Sequence, residues 1–473
     1  MKDTINLGGD FLRALKIRIK DRHIIKYLEN KIFLTQHFEN MMIILINQDF
    51  NQNSGNNFKY LTNGRIMRAV FTGNSGGILK DQVDYIKNYY KNNCLMNDII
   101  FVCKELKIHN IVEQIKNIKK NYKATFTKSI GGDYRANKPS PKPLKSANHI
   151  TLYMDGYKSI TLKRKNLIGL NLSDKMVYTH VKHEALLKLV DNLKNIKNIN
   201  LNYSNGNIYM IINYENSTPS TIFYNNIKYA GLDIGIRNIA SLYIHDTTTK
   251  SLIISGNKYI SYNASFNRLI SSIYKAINTF QLSNEKHKIN YLKNYERYLY
   301  EKRTNFFFTE FHKLSKYILL YLKNSNVTHL VVSKTIAALK NNGKCKMNKN
   351  IKQNFMQIPL IKLVDYICLK APDYSIKVIE IDESYTSKTS CLSGDIIKVK
   401  SLSNTSISTD VFGGRRVKRG LFKDYKYNKL LNADLNASYN ICKCGAILNN
   451  TFEDIKAPYF KLCNPIKLNA IAI

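Results

Sequence analysis

The chain has 473 residues, with 72 Lys and Arg against 34 Asp and Glu, a formal charge of +38. At roughly 150 residues per domain the length allows about three domains, and 44% hydrophobic residues with 32 Tyr and 20 Phe can fill several cores, which excludes wholesale disorder. Lysine-rich coding does not by itself deplete Asp and Glu, so the charge favours a polyanionic partner, nucleic acid ahead of an anionic membrane surface.

Met1 to Asp10 is polar and lacks the apolar core of a signal peptide. Apolar runs such as Met41 to Ile46 fall far short of the roughly 18 residues that a membrane span needs. The expectation is an intracellular protein, not secreted and with no membrane partner. Eight cysteines lie scattered without framework spacing, as suits a reducing compartment.

Residues 1–65 mix short apolar runs with polar spacers and give no clear element. From Asn97 to Lys123, Ile99, Val102, Cys103 and Leu106, then Ile111, Ile115, Ile118 and Tyr122, recur at three and four, which is helical spacing. Thr127 to Lys145 holds Gly131-Gly132 and Pro139, Pro141 and Pro143 among basic residues and reads as an extended linker. Beyond it, His149–Tyr153, Ser159–Leu162, Ile208–Asn213 and Ile222–Tyr224 are β-branched and aromatic runs, with a helix expected near Val181 to Leu193.

From Ile227 the pattern changes. Strands are expected at Ile227–Ile234, Ile239–Ile244 and Leu252–Ser255, then long helices in which Phe307, Phe311, Leu314, Ile318 and Leu322 form one core-facing stripe. Two more strands, Thr328–Ser333 and Ile376–Ile381, flank a helix around Ile358 to Lys370. Three adjacent strands, helices, strand, helix, strand is the order of a ribonuclease-H-like α/β fold.

Nucleases of that fold use carboxylates converging on one or two Mg²⁺ ions. Asp233, inside the apolar Gly231-Leu232-Asp233-Ile234-Gly235, is costly there unless it is paired or metal-bound, although it could also cap a turn. Asp434, in Asn432-Ala433-Asp434-Leu435-Asn436-Ala437, opens an apolar helix and is open to two readings, metal ligand or ordinary N-cap.

These two motifs, taken with Glu383-Ser384-Tyr385-Thr386-Ser387-Lys388 and Phe412-Gly413-Gly414-Arg415-Arg416-Val417-Lys418-Arg419-Gly420-Leu421-Phe422, resemble the RuvC-type nuclease domain of TnpB. TnpB proteins are transposon-encoded RNA-guided DNA endonucleases related to type V CRISPR nucleases, and their eukaryotic and large-virus relatives are the Fanzors. The resemblance covers residues 227–445, and the amino-terminal half matches in layout only. It implies a RuvC-like nuclease domain over 227–445 with an insert at 390–431 and a tail at 446–473. Ahead of it come a first wedge segment at 1–65, a helical recognition module at 66–145 and a β-rich wedge module at 146–226.

Two departures stand out. The acid that most TnpB proteins carry at the end of the strand Leu330-Val331-Val332-Ser333 is Ser333 here. The likeness is therefore to branches in which a relocated Glu serves, and Glu383 stands at that position. Periodicity alone does not choose between Asp382 and Glu383, which face opposite sides of a strand; the resemblance chooses Glu383. The second departure is the zinc ribbon, for which relatives supply two Cys-x-x-Cys pairs. Ser390 to Gly394 offers only Cys391, and the one close pair is Cys442-Lys443-Cys444. No zinc is expected, and the insert is expected to fold without metal.

The resemblance thus implies Asp233, Glu383 and Asp434 as catalytic ligands of two Mg²⁺, a structured guide RNA and a double-stranded DNA target; the sequence does not fix the oligomeric state, with a monomer favoured. Lys388, Arg415, Arg416, Lys418 and Arg419 are candidates for backbone phosphate contacts. Gln353, Phe355, Gln357 and Pro359 also resemble the family, without an assigned chemistry. The rivals are a guide-independent structure-selective nuclease and an RNA-guided DNA binder that does not cleave. Basic runs at Lys163-Arg164-Lys165 and Arg415 to Arg419 suit nuclear import in a eukaryotic or viral setting, with the cytoplasm expected otherwise.

Overall fold

The computed structural model describes residues 11–473 apart from 74–78, 107, 133–135, 143–149, 156–159, 165–166, 172–175, 181–195, 205–206, 217–225, 334–348, 382–385, 394–411, 419, 449–458 and 470–473. The chain divides into two compact units, Gly9–Ser217 and a second that holds Thr218–Ile473. Among the described residues no helix is long and apolar enough to cross a membrane.

In the first unit, strand β1 (Phe11–Arg18) is followed by helices α1 (Arg22–Gln52), α2 (Phe58–Leu61), α3 (Gly64–Thr72), α4 (Lys80–Tyr89), α5 (Cys94–Lys104) and α6 (Ile108–Ile130). Strands β2 (Ile150–Asp155), β3 (Ile160–Arg164), β4 (Leu167–Asn171), β5 (Met176–His180), β6 (Ile196–Ser204) and β7 (Asn207–Asn216) complete it. They form one sheet in the order β1-β7-β6-β2 and another in the order β3-β4-β5. Leu28 and Ile32 of α1 pack in the core of the strands, whereas Phe38, Met42 and Ile46 pack with Ile99, Ile115 and Tyr122 of the helices. One 31-residue helix thus belongs to both layers.

The second unit is built on a six-stranded sheet in the order β12-β11-β8-β9-β10-β16. Its strands are β8 (Tyr229–Asp233), β9 (Asn238–Ile244), β10 (Leu252–Ser255), β11 (His329–Ser333), β12 (Lys377–Ile381) and β16 (Ile466–Asn469). The first three form an antiparallel meander, while β11 and β12 run parallel to β8. This is the ribonuclease-H-like arrangement anticipated from the element order.

Each face is covered by helices. Ala230, Leu232, Leu330 and Val332 pack against Phe307, Phe311, Leu314 and Ile318 of α8 (Lys286–Asn324), beside α7 (Asn257–Leu282), and against Leu363 and Ile367 of α10 (Leu360–Lys370), which follows α9 (Lys349–Gln357). The alternate residues Tyr229, Val331 and Ile381 meet Leu435, Tyr439 and Cys442 of α11 (Ala433–Leu448) on the opposite face. This strict alternation is the period of two expected of strands buried on both faces. Before α11 the chain forms a three-stranded sheet of β13 (Gly414–Lys418), β14 (Leu421–Asp424) and β15 (Lys429–Asn432).

Several elements differ from expectation. The stretch through 1–65 holds β1 and the whole of α1 and α2, so helices begin well before residue 66. The helical pattern of Asn97–Lys123 is split between α5 and α6, and α6 continues to Ile130 into the stretch read as linker. The helix near Val181–Leu193 and the run Ile222–Tyr224 lie outside the described residues. The segment read as a tail carries α12 (Tyr459–Cys463) and β16, which extends the main sheet by pairing in parallel with β10. Lys461 anchors it. Its buried ammonium donates to the Ile244 carbonyl at 2.9 Å and to Oδ1 of Asp246 at 2.6 Å. Burial alone would raise the Asp246 pKa, but hydrogen bonds from Lys228 and Lys461 outweigh it and hold the carboxyl well below its usual range.

Helix α11 lies very close to the sheet, at two positions that only glycine tolerates. A methyl group at Gly231 would stand 2.0 Å from the Ser438 carbonyl oxygen and 2.7 Å from the Cys442 amide nitrogen, and one at Gly445 would stand 2.3 Å from Cγ2 of Val331. Gly231→Ala therefore requires helix and strand to separate, at an expected cost of about 1–3 kcal/mol or more. Thermal unfolding checks this, and an unchanged Tm contradicts the contact.

Candidate active site

The three parallel strands end at the same edge of the sheet. Asp233 ends β8, Ser333 ends β11, and β12 ends at Ile381, which pairs with Ser333. Asp233 is in phase with Tyr229 and Gly231, so it faces α11, and Ser333 is in phase with Val331 on that same face.

Asp434 comes to this edge from the first turn of α11. The N-cap role belongs to its neighbour: Oδ1 of Asn432 accepts the amides of Asp434 at 3.0 Å and Leu435 at 3.1 Å. The Asp434 side chain is thereby released from capping. Its Oδ2 accepts a hydrogen bond from Nδ2 of Asn238 at 2.7 Å, and its Oδ1 pairs with the Arg416 guanidinium at 2.6 Å. Asn238 opens β9, directly after the turn that follows Asp233. One turn along the helix, the Ser438 hydroxyl lies 2.8 Å from the carbonyl oxygens of both Asp434 and Ser241, and Ser241 is the register partner of Asp233. The two aspartates thus come from separate elements to one end and one face of the sheet.

The turn after β12 is tied to the same helix. Asn440 donates from Nδ2 to the carbonyls of Thr386 and Thr389, both at 2.8 Å. Asn436 donates to the Thr389 carbonyl at 2.8 Å and accepts the Cys391 amide at 3.0 Å. Both asparagines are buried. Glu383 and Asp382 lie outside the described residues, as does Arg419. Among the described residues no three His, Cys, Asp or Glu side chains gather as a metal cluster.

Residues 212–338 match the family described as OrfB_IS605, probable transposase, and residues 362–441 match the Cas12f1-like TNB domain. No curated protein matches the chain. Among solved structures, the chain is similar to a Cas12f1–sgRNA–target DNA complex at 14% identity and a TM-score of 0.31, over 91% of this chain and 98% of that one. A CRISPR-Cas12f ternary complex gives 12% identity and 0.34 over 91% and 98%. The mini-RNA-guided endonuclease Cas_phi3 gives 10% and 0.45 over 95% and 93%.

Around this edge of the sheet the basic candidates separate. Arg416 reaches Asp434, whereas Arg415 and Lys418 are exposed along β13. Lys388 is exposed in the turn tied by Asn440, with its ammonium 6.0 Å from the centre of the Phe412 ring. The segment around Gln357 has a packing role: its Oε1 accepts from Asn263 and Asn267 of α7, both at 2.8 Å, while Arg303 of α8 donates to its carbonyl at 2.6 Å. Phe355 is buried in the main core.

Sequence reasoning missed Asn238, Asn436 and Asn440. The signal was present, because Asn432, Asn436 and Asn440 recur every fourth residue in an otherwise apolar helix, which gives them one face. Asn440→Ala removes two buried hydrogen bonds, one each to the Thr386 and Thr389 carbonyls, worth about 0.5–1.5 kcal/mol apiece, while Asn436 still donates to Thr389. The variant is expected to exchange the backbone amides near Thr386 to Cys391 faster while β8 and β9 stay protected; hydrogen exchange that is unchanged in this segment contradicts the tie.

Proposed function

We propose that the protein is an RNA-guided DNA endonuclease whose metal-dependent site is formed by Asp233, Glu383 and Asp434. The observation that carries the reading is the arrival of Asp233 and Asp434, from β8 and α11, at one end and one face of a ribonuclease-H-like sheet. Glu383 joins them by the resemblance, two residues in sequence beyond Ile381, the last residue of β12, which packs beneath α11. The choice of Glu383 over its neighbour Asp382 rests on the resemblance alone.

Carboxylate oxygens suit a hard cation, and Asp434 already attracts one, the Arg416 guanidinium. Two Mg²⁺ held by the three acids would supply charge stabilisation to the attacking and leaving oxygens of a phosphodiester. The protein's own groups do the rest. Asn238 fixes one oxygen of Asp434 and so orients the carboxylate. Asn436 and Asn440 hold the turn that follows Glu383. Arg415, Lys418 and Lys388 offer exposed cations to a nucleic-acid backbone, a role extended to Arg419 by sequence. The charge of +38 suits a protein that carries an RNA whose guide pairs with one DNA strand.

A second reading, an RNA-guided binder that does not cleave, has one observation in its favour: a serine, Ser333, ends β11 between the other two strands. Programmed cleavage decides. With copurified RNA and Mg²⁺, Asp233→Ala and Asp434→Ala are expected to lose cleavage by several orders of magnitude and to keep RNA and target binding. Glu383→Gln is expected to be equally inactive while Ser333→Ala cleaves normally. Full cleavage by Asp233→Ala overturns the site, and a wild-type protein that binds its programmed target without cutting it establishes the second reading.

A further inference from the structure

Two loops of the insert converge on one buried carboxylate. Ser390 and Ser393, three residues apart in Ser390-Cys391-Leu392-Ser393-Gly394, both donate their hydroxyls to Oδ2 of Asp424. Asp424 ends β14 and opens a turn in which its Oδ1 accepts the amide of Tyr427, three residues on, at 2.8 Å. Asn428 closes that turn with φ of 51°, the left-handed conformation that Asn tolerates better than most side chains. Asp424 is fully buried and Ser390 nearly so.

Two loops, each offering positions i and i+3 to a common buried point, have the layout of a zinc ribbon. The ligand chemistry is absent: where zinc takes thiolate or imidazole, the first loop offers two hydroxyls and the second a carboxylate. Cys391 does not substitute, since it belongs to the apolar cluster beneath α11 with its amide bound to Asn436. Cys442 and Cys444, on α11, are buried, and burial pushes both thiols up, Cys444 to about 12, away from the thiolate that zinc requires.

We infer that Ser390, Ser393 and Asp424 form a metal-free clasp that replaces a zinc knuckle. A zinc ion joins two loops through four bonds to one centre; here one carboxylate is the centre, and it accepts three donors from the two loops. A buried charge is costly unless it is hydrogen-bonded, and charge-assisted bonds are the stronger kind. The clasp also has a place in the site. Asp424 pairs in register with Gly414, at the base of the hairpin whose β13 strand carries Arg416 to Asp434, and β15 runs directly from this turn into α11. Asp424 is thus a positioning residue that sets one guanidinium and one candidate metal ligand relative to each other. The inference rests on the zinc-ribbon layout and not on nuclease activity, so metal content, cobalt spectra and amide exchange test it independently of cleavage.

The purified wild-type protein is expected to contain no stoichiometric zinc and to keep its Tm in a strong chelator; one tightly held zinc whose removal lowers Tm overturns the inference. In the converse experiment, Ser390→Cys, Ser393→Cys, Asp424→Cys and Tyr427→Cys are combined. That variant is expected to bind one Co²⁺ with the intense thiolate charge-transfer band of a tetrahedral site and to become chelator-sensitive. A folded variant without that band contradicts the geometry. Should it fold neither with nor without metal, Asp424→Asn decides: loss of the charge-assisted bonds is expected to speed amide exchange at Tyr427 and Leu392 about tenfold or more, and exchange at the wild-type rate overturns the clasp.

Discussion

The approach of α11 to β8 at Gly231 governs the carboxy-terminal unit. A strand residue without a side chain lets the helix backbone come within van der Waals contact of the sheet, and Gly445 repeats this against Val331. The helix is then fixed in height and in rotation about its axis. Its first turn delivers Asp434 beside Asn238 and Asn436 to the turn after β12, and Ser438 of its second joins it to the strand opposite Asp233. A larger residue at Gly231 would move all of these together, because they are successive turns of one rigid element.

Charge is organised around that contact with opposite signs at two scales. The chain as a whole is strongly basic, which would raise the local concentration of phosphate and make the proposed nucleic-acid binding steeply salt-dependent. At the sheet edge the sign reverses, and acids that would repel a phosphate stand together. Arg416 partly resolves the conflict by neutralising Asp434, and a bound divalent cation would do so more completely. The insert's role follows from the same logic. A hairpin held by the Asp424 clasp brings one cation to the acids while keeping Arg415 and Lys418 in solvent.

Much of this was legible in the sequence. Strands β8 to β12 announced themselves as short apolar runs, and the α8 stripe by its period. Asp233 was conspicuous because a lone acid in an apolar strand needs a reason. Helix α1 was not legible, since its apolar residues serve two cores in turn and Lys31, Thr35 and Gln36 are buried among them, which blurs any single stripe. Strand β16 is short, mostly exposed and paired only to a distant segment, so nothing local marks it. The ambiguity between capping and ligation at Asp434 needed the structure as well, because Asn432 and Asp434 are both good caps and only the hydrogen bonds assign the role to Asn432. Asp424 and its serines were not legible because Ser and Asp are ordinary loop residues, whereas paired cysteines would have marked the two loops.

In the proposed function, three acids from three elements make one metal site despite a serine at the end of β11. Mn²⁺ binding followed by electron paramagnetic resonance tests it most directly. The account predicts that Asp233→Asn, Glu383→Gln and Asp434→Asn each abolish the tightly bound Mn²⁺ signal and that Ser333→Ala leaves it intact. Wild-type Mn²⁺ affinity in Glu383→Gln would contradict it.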